Sequence, residues 1–259
     1  MTDETATPGT PLDLGHGTLR GRLFAVVRAI LLKALVPFVR FRIIGLENVP
    51  RSGPLLVVAN HLHNADPILL SIAFPRPLHF MAKKELFSVP IVKSVIRRVG
   101  AFPVDRGRSD RGAIRHAEAV LAAGIAVGMF PEGTRSPRFE LAAAHPGAAL
   151  LAQRSGALVV PVAIVGSERL PFGGKKVRVG PERSSSDRGR LLIEVRIGEP
   201  FVLPREIDGE RLSATDATRM MMVRLAAWLP VSYQGVYALE TSSMTSQELP
   251  DQSRHGHRM

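Results

Sequence analysis

His61 and Asp66 stand five residues apart, a spacing at which a histidine and a carboxylate could work together. They lie in Asn60-His61-Leu62-His63-Asn64-Ala65-Asp66. The run Leu55-Leu56-Val57-Val58-Ala59 ahead of them is the apolar stretch of a buried strand. Pro67-Ile68-Leu69-Leu70-Ser71-Ile72 behind them opens a helix, with Asp66 as N-cap and Pro67 at the first helical position. A tight turn between strand and helix would bring Asp66 back to the His61 ring. A histidine oriented by a carboxylate is a general base for a hydroxyl. On this stretch alone a second reading stands beside it: Asp66 only caps the helix, and His61 is a polar loop residue.

A second group follows in Phe130-Pro131-Glu132-Gly133-Thr134-Arg135-Ser136. Gly133 lets a ligand approach the backbone. Thr134 and Ser136 supply hydroxyls. Arg135 presents a planar fork suited to phosphate, which a lysine would not reproduce. Glu132 could hold that arginine or meet a substrate hydroxyl. The same residues would also make an ordinary surface turn with an Arg–Glu pair of little energetic weight. Arg106, after Val104-Asp105, is another arginine at a strand end, and Lys83 is a third cation. Cations at the ends of separate strands of one sheet could converge on one anion.

The elements that must position these residues alternate. Strands are expected at 41–46, 55–59, 78–82, 101–106, 125–130, 158–165 and 191–198, with helices near 67–72, 91–99, 110–122, 147–154 and 211–229. Gly100, Gly124 and Gly156 mark helix ends. Strands alternating with helices imply an α/β domain, a largely parallel central sheet flanked by helices. Such sheets bind ligands at the carboxyl ends of their strands, where the turns after Ala59, Val104 and Phe130 fall. Residues 171–190, rich in Gly, Ser, Lys and Arg, read as a loop.

With 259 residues, 45% of them hydrophobic, the chain can bury one sizeable core. It has no cysteine, which removes disulfides, thiolate metal sites and a cysteine nucleophile. The net charge of +11 points to nucleic acid, an anionic membrane or acidic substrates. Two tyrosines and one tryptophan give little for base stacking, so a membrane or a phosphorylated small molecule is favoured over nucleic acid.

The ends differ from the middle. Residues 1–18 are polar and aperiodic, and read as disordered, with no signal-peptide pattern. Residues 19–42 form an amphipathic helical segment in which Arg20, Arg22, Arg28, Lys33, Arg40 and Arg42 punctuate large apolar residues. As a spanning helix, each apolar residue would contribute about −0.3 to −0.6 kcal/mol, while Arg28 and Lys33 would cost about 2.5–3.5 kcal/mol each near the centre. The terms nearly cancel, and Pro37 weakens a continuous helix. Lying in the interface keeps the apolar gain and lets the cations reach headgroups, so this segment is expected to contact an anionic bilayer. The main domain is expected over 43–235, and residues 236–259 as a polar, disordered tail.

Four of these stretches recur as an ordered set. The His61…Asp66 turn, Gly100-Ala101-Phe102-Pro103-Val104-Asp105-Arg106, Phe130-Pro131-Glu132-Gly133-Thr134-Arg135-Ser136 and Val159-Val160-Pro161-Val162-Ala163-Ile164 occur in this order. Together they resemble the four sequence blocks of the glycerophospholipid acyltransferase family, the bacterial 1-acyl-glycerol-3-phosphate type above all. Ala82-Lys83-Lys84-Glu85-Leu86 is also similar to a family segment, and Asn60 before the histidine fits. The resemblance covers residues 40–200. It implies a single acyltransferase domain that moves an acyl group from acyl-CoA or acyl carrier protein to the sn-2 hydroxyl of a lysophospholipid. It implies that His61 deprotonates that hydroxyl and Asp66 orients the imidazole. It implies that Lys83, Arg106 and Arg135 bind the phosphate, and that Glu132, Gly133 and Thr134 line the acceptor site. No cofactor or metal is expected, and the expected place of work is the cytoplasmic face of the cell membrane. The residue chemistry agrees independently. Without a cysteine or a Gly-x-Ser-x-Gly elbow, direct attack by the acceptor hydroxyl is favoured over an acyl-enzyme. The oxyanion donors are not identified by sequence.

Two other classes compete. His61, His63 and Asp66 could be ligands of a metal-dependent hydrolase, but His79, His116 and His145 are scattered singletons and form no second cluster. A non-catalytic basic membrane or nucleic-acid binder would explain the charge, but gives no reason for the spacing of His61 and Asp66.

Overall fold

The structure is a computed structural model that describes residues 39–83, 102–104, 111–171, 191–243 and 256–258, together with positions 26, 29, 30 and 33. Expectations at 91–99, for Arg106, and for the 172–190 loop lie outside the described residues.

Eight strands form one sheet: β1 (Val39–Ile44), β2 (Leu55–Ala59), β3 (Leu78–Lys83), β4 (Phe102–Val104), β5 (Ala126–Met129), β6 (Leu158–Val165), β7 (Leu191–Ile197) and β10 (Gly256–Arg258). Their order is β10-β1-β7-β6-β2-β5-β3-β4. A small separate hairpin is made by β8 (Glu206–Ile207) and β9 (Glu210–Arg211). From β6 through β4 every neighbouring pair is parallel. The sheet reverses at the antiparallel β6–β7 pair, β1 then runs parallel to β7, and it reverses again at the antiparallel β1–β10 edge. The expected largely parallel sheet is therefore present, with two antiparallel pairs among its seven.

Helices α1 (Asp66–Ala73), α2 (Arg111–Ala122), α3 (Gly147–Ser155), α4 (Ala214–Ala226) and the short α5 (Ala238–Ser242) surround it. The strand period of two decides which face each side chain joins. Leu55, Val57 and Ala59 pack with Leu69, Leu70, Ile72 and Ala73 of α1 on one face. Leu56 and Val58 pack on the other with residues of α2, α3 and α4. Burial on both faces is why β2 and β6 read as unbroken apolar runs.

Three boundaries differ from expectation. Residues 39–42, assigned above to the amphipathic helical segment, are strand. Val39, Phe41 and Ile43 alternate inward, so β1 begins at Val39 and not at Phe41. The α4 helix begins at Ala214, because the Ser213 hydroxyl caps it by accepting the Asp216 N–H, and Glu210–Arg211 belongs to the hairpin. Residues 236–259 are not simply a polar tail: Ala238–Ser242 is helical, and Gly256–Arg258 pairs antiparallel with β1. At the other end, positions 26, 29, 30 and 33 are helical, and Val26 and Ile30 are 54% and 60% exposed. Among the described residues no helix is long and apolar enough to cross a membrane.

Candidate active site

The parallel strands β2, β5, β6, β3 and β4 all point their carboxyl ends the same way, and the polar turns emerge together there. At the end of β2, Asn60 is locked first. Its amide donates to the Ile164 carbonyl at 2.9 Å and accepts the Ile164 N–H at 2.7 Å. One side chain thus continues the β2–β6 ladder for a step beyond the strand and fixes the origin of the turn that follows.

That turn carries the pair. His61 Nδ1 lies 2.9 Å from Asp66 Oδ2. The same oxygen accepts the Leu62 and His63 N–H groups, each at 2.7 Å. Asp66 is not the N-cap that its place before Pro67 implied. Ala65 holds that position, and Asp66, the first helical residue, turns its carboxylate back into the turn. The carboxylate is fully buried and His61 is nearly so. An ionised Asp66 can only accept, so Nδ1 carries the proton and Nε2 keeps its lone pair: the tautomer of a general base.

The ring plane is fixed by aromatics that the sequence reading did not single out. His61 stacks on Phe130, with centroids 4.2 Å apart and planes 21° apart, and Phe130 stacks in turn on Phe80 at 6.0 Å. Gly128 makes this possible, since a Cβ there would sit 2.3 Å from the Phe80 ring.

Glu132 sits at the His61 backbone, with its side chain turned inward. Its two oxygens accept the N–H groups of His61 and Ala142, at 3.1 and 3.0 Å. Burial pushes its carboxyl up to about 7, more than these two N–H bonds pull it down, and the neighbouring Asp66 adds to the rise. Ser136 closes the same joint, its N–H donating to the His61 carbonyl at 2.8 Å. Gly133 has φ +69°, and its open side faces the His145 ring. Thr134 is exposed and Arg135 half-buried on the same turn. Lys83 ends β3, paired in register with Val104, two residues before Arg106.

His63 has a definite state. Its Nδ1 accepts the Ala65 N–H at 3.1 Å, so its proton sits on Nε2. Burial lowers its pKa most. Asp66 acts against that, Arg135 and His61 act with it, and Glu168 acts against it. Among the described residues, His63 Nε2, Asp66 Oδ1, Ser167 Oγ and Glu168 Oε2 are buried without hydrogen-bond partners. Ser167 and Glu168 follow the end of β6, so all four atoms belong to the carboxyl ends of two adjacent strands.

A strap from the C-terminal part, residues 230–242, braces this end of the sheet. The chain's two tyrosines are both in it. The Tyr233 hydroxyl donates to Glu168 at 2.9 Å, and the Tyr237 hydroxyl accepts the Ala144 N–H at 3.2 Å. Burial above all raises the pKa of both phenols, so both stay protonated. The strap's backbone also pairs with Leu141, through Leu141 N–H to Tyr233 O and Val236 N–H to Leu141 O. Gln234, buried, donates to the Ala226 and Leu229 carbonyls at the end of α4.

Among the described residues no group of three or more His, Cys, Asp or Glu is arranged to hold a metal ion. The fold and the pair define an α/β protein with a buried histidine–carboxylate pair at the carboxyl end of its parallel sheet. The comparisons make the class specific. A family model described as Acyltransferase matches residues 40–165. The chain is 34% identical over 156 residues to the 1-acyl-sn-glycerol-3-phosphate acyltransferase of Bacillus subtilis, a match covering 58% of this chain and 77% of that one. It is 31% identical over 187 residues to a probable 1-acyl-sn-glycerol-3-phosphate acyltransferase of Mycoplasma pneumoniae, covering 70% and 68%. It is 31% identical over 148 residues to a chloroplastic enzyme of that name from Arabidopsis thaliana, covering 56% of this chain but only 41% of the plant protein. The crystal structure of the 1-acyl-sn-glycerophosphate acyltransferase PlsC from Thermotoga maritima shares the fold, with a TM-score of 0.58 at 24% identity over 78% of this chain and 76% of that one. The chain belongs to the glycerophospholipid acyltransferase family.

Proposed function

We propose that the protein transfers an acyl group from acyl-CoA or acyl carrier protein to the sn-2 hydroxyl of 1-acyl-glycerol-3-phosphate, forming phosphatidic acid. The observation that carries this reading is the buried His61–Asp66 pair, 2.9 Å apart, at the carboxyl end of the parallel sheet. The relatives named for this reaction support it.

His61 Nε2 takes the proton of the acceptor hydroxyl as its oxygen attacks the thioester carbonyl. The oxyanion collapses, the thiolate leaves, and the imidazolium returns its proton to the sulfur. Asp66 steadies the imidazolium through Nδ1–H. A thioester is already activated, so a base contributing about 10²–10⁴-fold, together with positioning, suffices. Arg135, Arg106 and Lys83 take the acceptor phosphate. Gly133 and Thr134 line its path, while Glu132 acts by holding the His61 backbone. The atoms of His63, Ser167 and Glu168 that have no partner among the described residues give a bound headgroup further polar partners. The reaction requires no cofactor. The segment ahead of β1 holds the enzyme on the cytoplasmic face of an anionic membrane.

The test is turnover of 1-acyl-glycerol-3-phosphate with a panel of acyl thioesters by the parent, His61→Ala and Asp66→Asn. His61→Ala should lose at least about 10²-fold in kcat while remaining folded by circular dichroism. Asp66→Asn should lose less, because it can still hydrogen-bond the ring but no longer supports its charge. Near-parental turnover by His61→Ala would remove the general-base role.

A further inference from the structure

The strap that braces the site has an outer side. From Pro230 to Leu239 it carries no charged residue, in a chain whose residues are 22% charged. Its tyrosines and Gln234 face inward. Val231, Val236 and Leu239 face outward, 75%, 62% and 87% exposed. The strap is not free to fold these residues in. Gln234 ties it to the end of α4, Leu141 pairs with it on both sides of Gly235, and both tyrosine hydroxyls are bonded to the site end of the sheet.

We infer that Val231, Val236 and Leu239 form a membrane-docking patch, separate from the segment ahead of β1, that seats the carboxyl end of the sheet on an anionic bilayer. The inference rests on the proposed function, since a lipid acceptor must arrive at that end. Two features select a bilayer. The strap's backbone pairs with Leu141, three residues after exposed Arg138 on the loop that also carries half-buried Arg135; Arg169 follows the Glu168 that Tyr233 holds and pairs with it, and Glu240 beside Leu239 is paired with Arg219. Apolar side chains flanked by cations match a surface of anionic headgroups over acyl chains. The patch is also too small for a stable protein partner: three aliphatic side chains fall far short of the roughly 20–30 residues a side of such interfaces.

The experiment uses the full chain and vesicles of phosphatidylcholine with phosphatidylglycerol. A Leu239→Trp variant reports insertion directly, because the native Trp228 is 7% exposed and serves as the buried reference. On vesicles its added emission should shift to the blue and be quenched by bromine-labelled acyl chains. The triple variant Val231→Ser/Val236→Ser/Leu239→Ser should bind the same vesicles at least about tenfold more weakly and lose turnover of a long-chain acceptor in vesicles. Its turnover of a short, soluble acceptor should stay within about twofold of the parent. Unquenched Leu239→Trp emission at saturating vesicles, or parental binding by the triple variant, overturns the inference. So does a lipid-independent dimer that the triple variant abolishes, which would give the patch to a second copy of the chain. If the parent binds and Leu239→Trp is quenched but no acceptor is turned over, the docking surface stands and the proposed function fails.

Discussion

At the residue scale, Glu132 makes a pH-dependent demand on the fold. Its carboxyl is carried up to about 7 from an ordinary 4.5. Between those values the folded protein holds a proton that the unfolded chain has released. Stability therefore falls as pH rises through that window and is flat above it, by at most about 3 kcal/mol. Burial of His63 works the other way, because its lowered pKa loses stability as pH falls below 6.5. A comparison with Glu132→Gln cancels that contribution. The variant should be less stable overall, since one of its two amide ends meets an N–H with a donor. The gap between parent and variant should shrink from about pH 5 to about pH 7.5. Urea midpoints at both values measure it, and a constant gap would show that Glu132 stays ionised throughout. The arginines make a kinetic prediction. If Arg135 and Arg106 hold the acceptor phosphate as proposed, Arg135→Lys and Arg106→Lys each replace a two-pronged contact by a single one, so the acceptor KM should rise roughly tenfold with donor KM little changed. Initial rates with each substrate varied in turn decide this, and a defect confined to the thioester would reassign them to the donor.

At the element scale, the site depends on joints between strands and the turns beyond them. Asn60 is the clearest case. Removing its amide in Asn60→Ala leaves the buried Ile164 N–H and carbonyl without partners, and each unpaired group costs about 1–3 kcal/mol. The expected loss is about 2–5 kcal/mol in equilibrium urea unfolding. A loss under about 1 kcal/mol would mean that water or a local shift satisfies Ile164. The strap is the second such joint. The Phe130–His145 stretch is held by Glu132 at Ala142, by Tyr237 at Ala144 and by the backbone around Tyr233 at Leu141. The His61 turn is pinned to it through Glu132 and Ser136, so His61 is positioned by residues up to the C-terminal strap.

At the scale of the whole molecule, the charge of +11 and the segment before β1 bear on where the enzyme works. If that segment lies in the interface, binding to vesicles should rise with anionic lipid and weaken with salt, since attraction to the surface is screened beyond about 10 Å at 0.1 M. Deleting residues 1–38 leaves β1 intact and should weaken vesicle binding at least about tenfold, with activity lost on long-chain acceptors more than on soluble ones. Co-sedimentation across a salt series reads this. Binding indifferent to salt and lipid charge would point to a spanning helix instead.

What the sequence determined by itself was local. The apolar runs at 55–59, 126–129 and 158–165 and the glycine at 156 placed strands and a helix end to within a residue or so, because burial on both faces and left-handed backbone leave direct marks on composition. The spacing of His61 and Asp66 was legible for the same reason, since a five-residue turn is a short-range object. The return of Asp66 to the His61 ring belonged to that turn, but its expected place as N-cap did not hold, because three N–H groups of the turn take its carboxylate and Ala65 stands at the cap. Tertiary structure decided the rest. Glu132 was drawn in to backbone N–H groups 10 and 71 residues away, and Phe80 and Phe130 became a stack under the His61 ring, with Gly128 leaving room for Phe80. Tyr233 and Tyr237 gave no sign in sequence, because their partners lie 65 and 93 residues away and only the sheet brings them together.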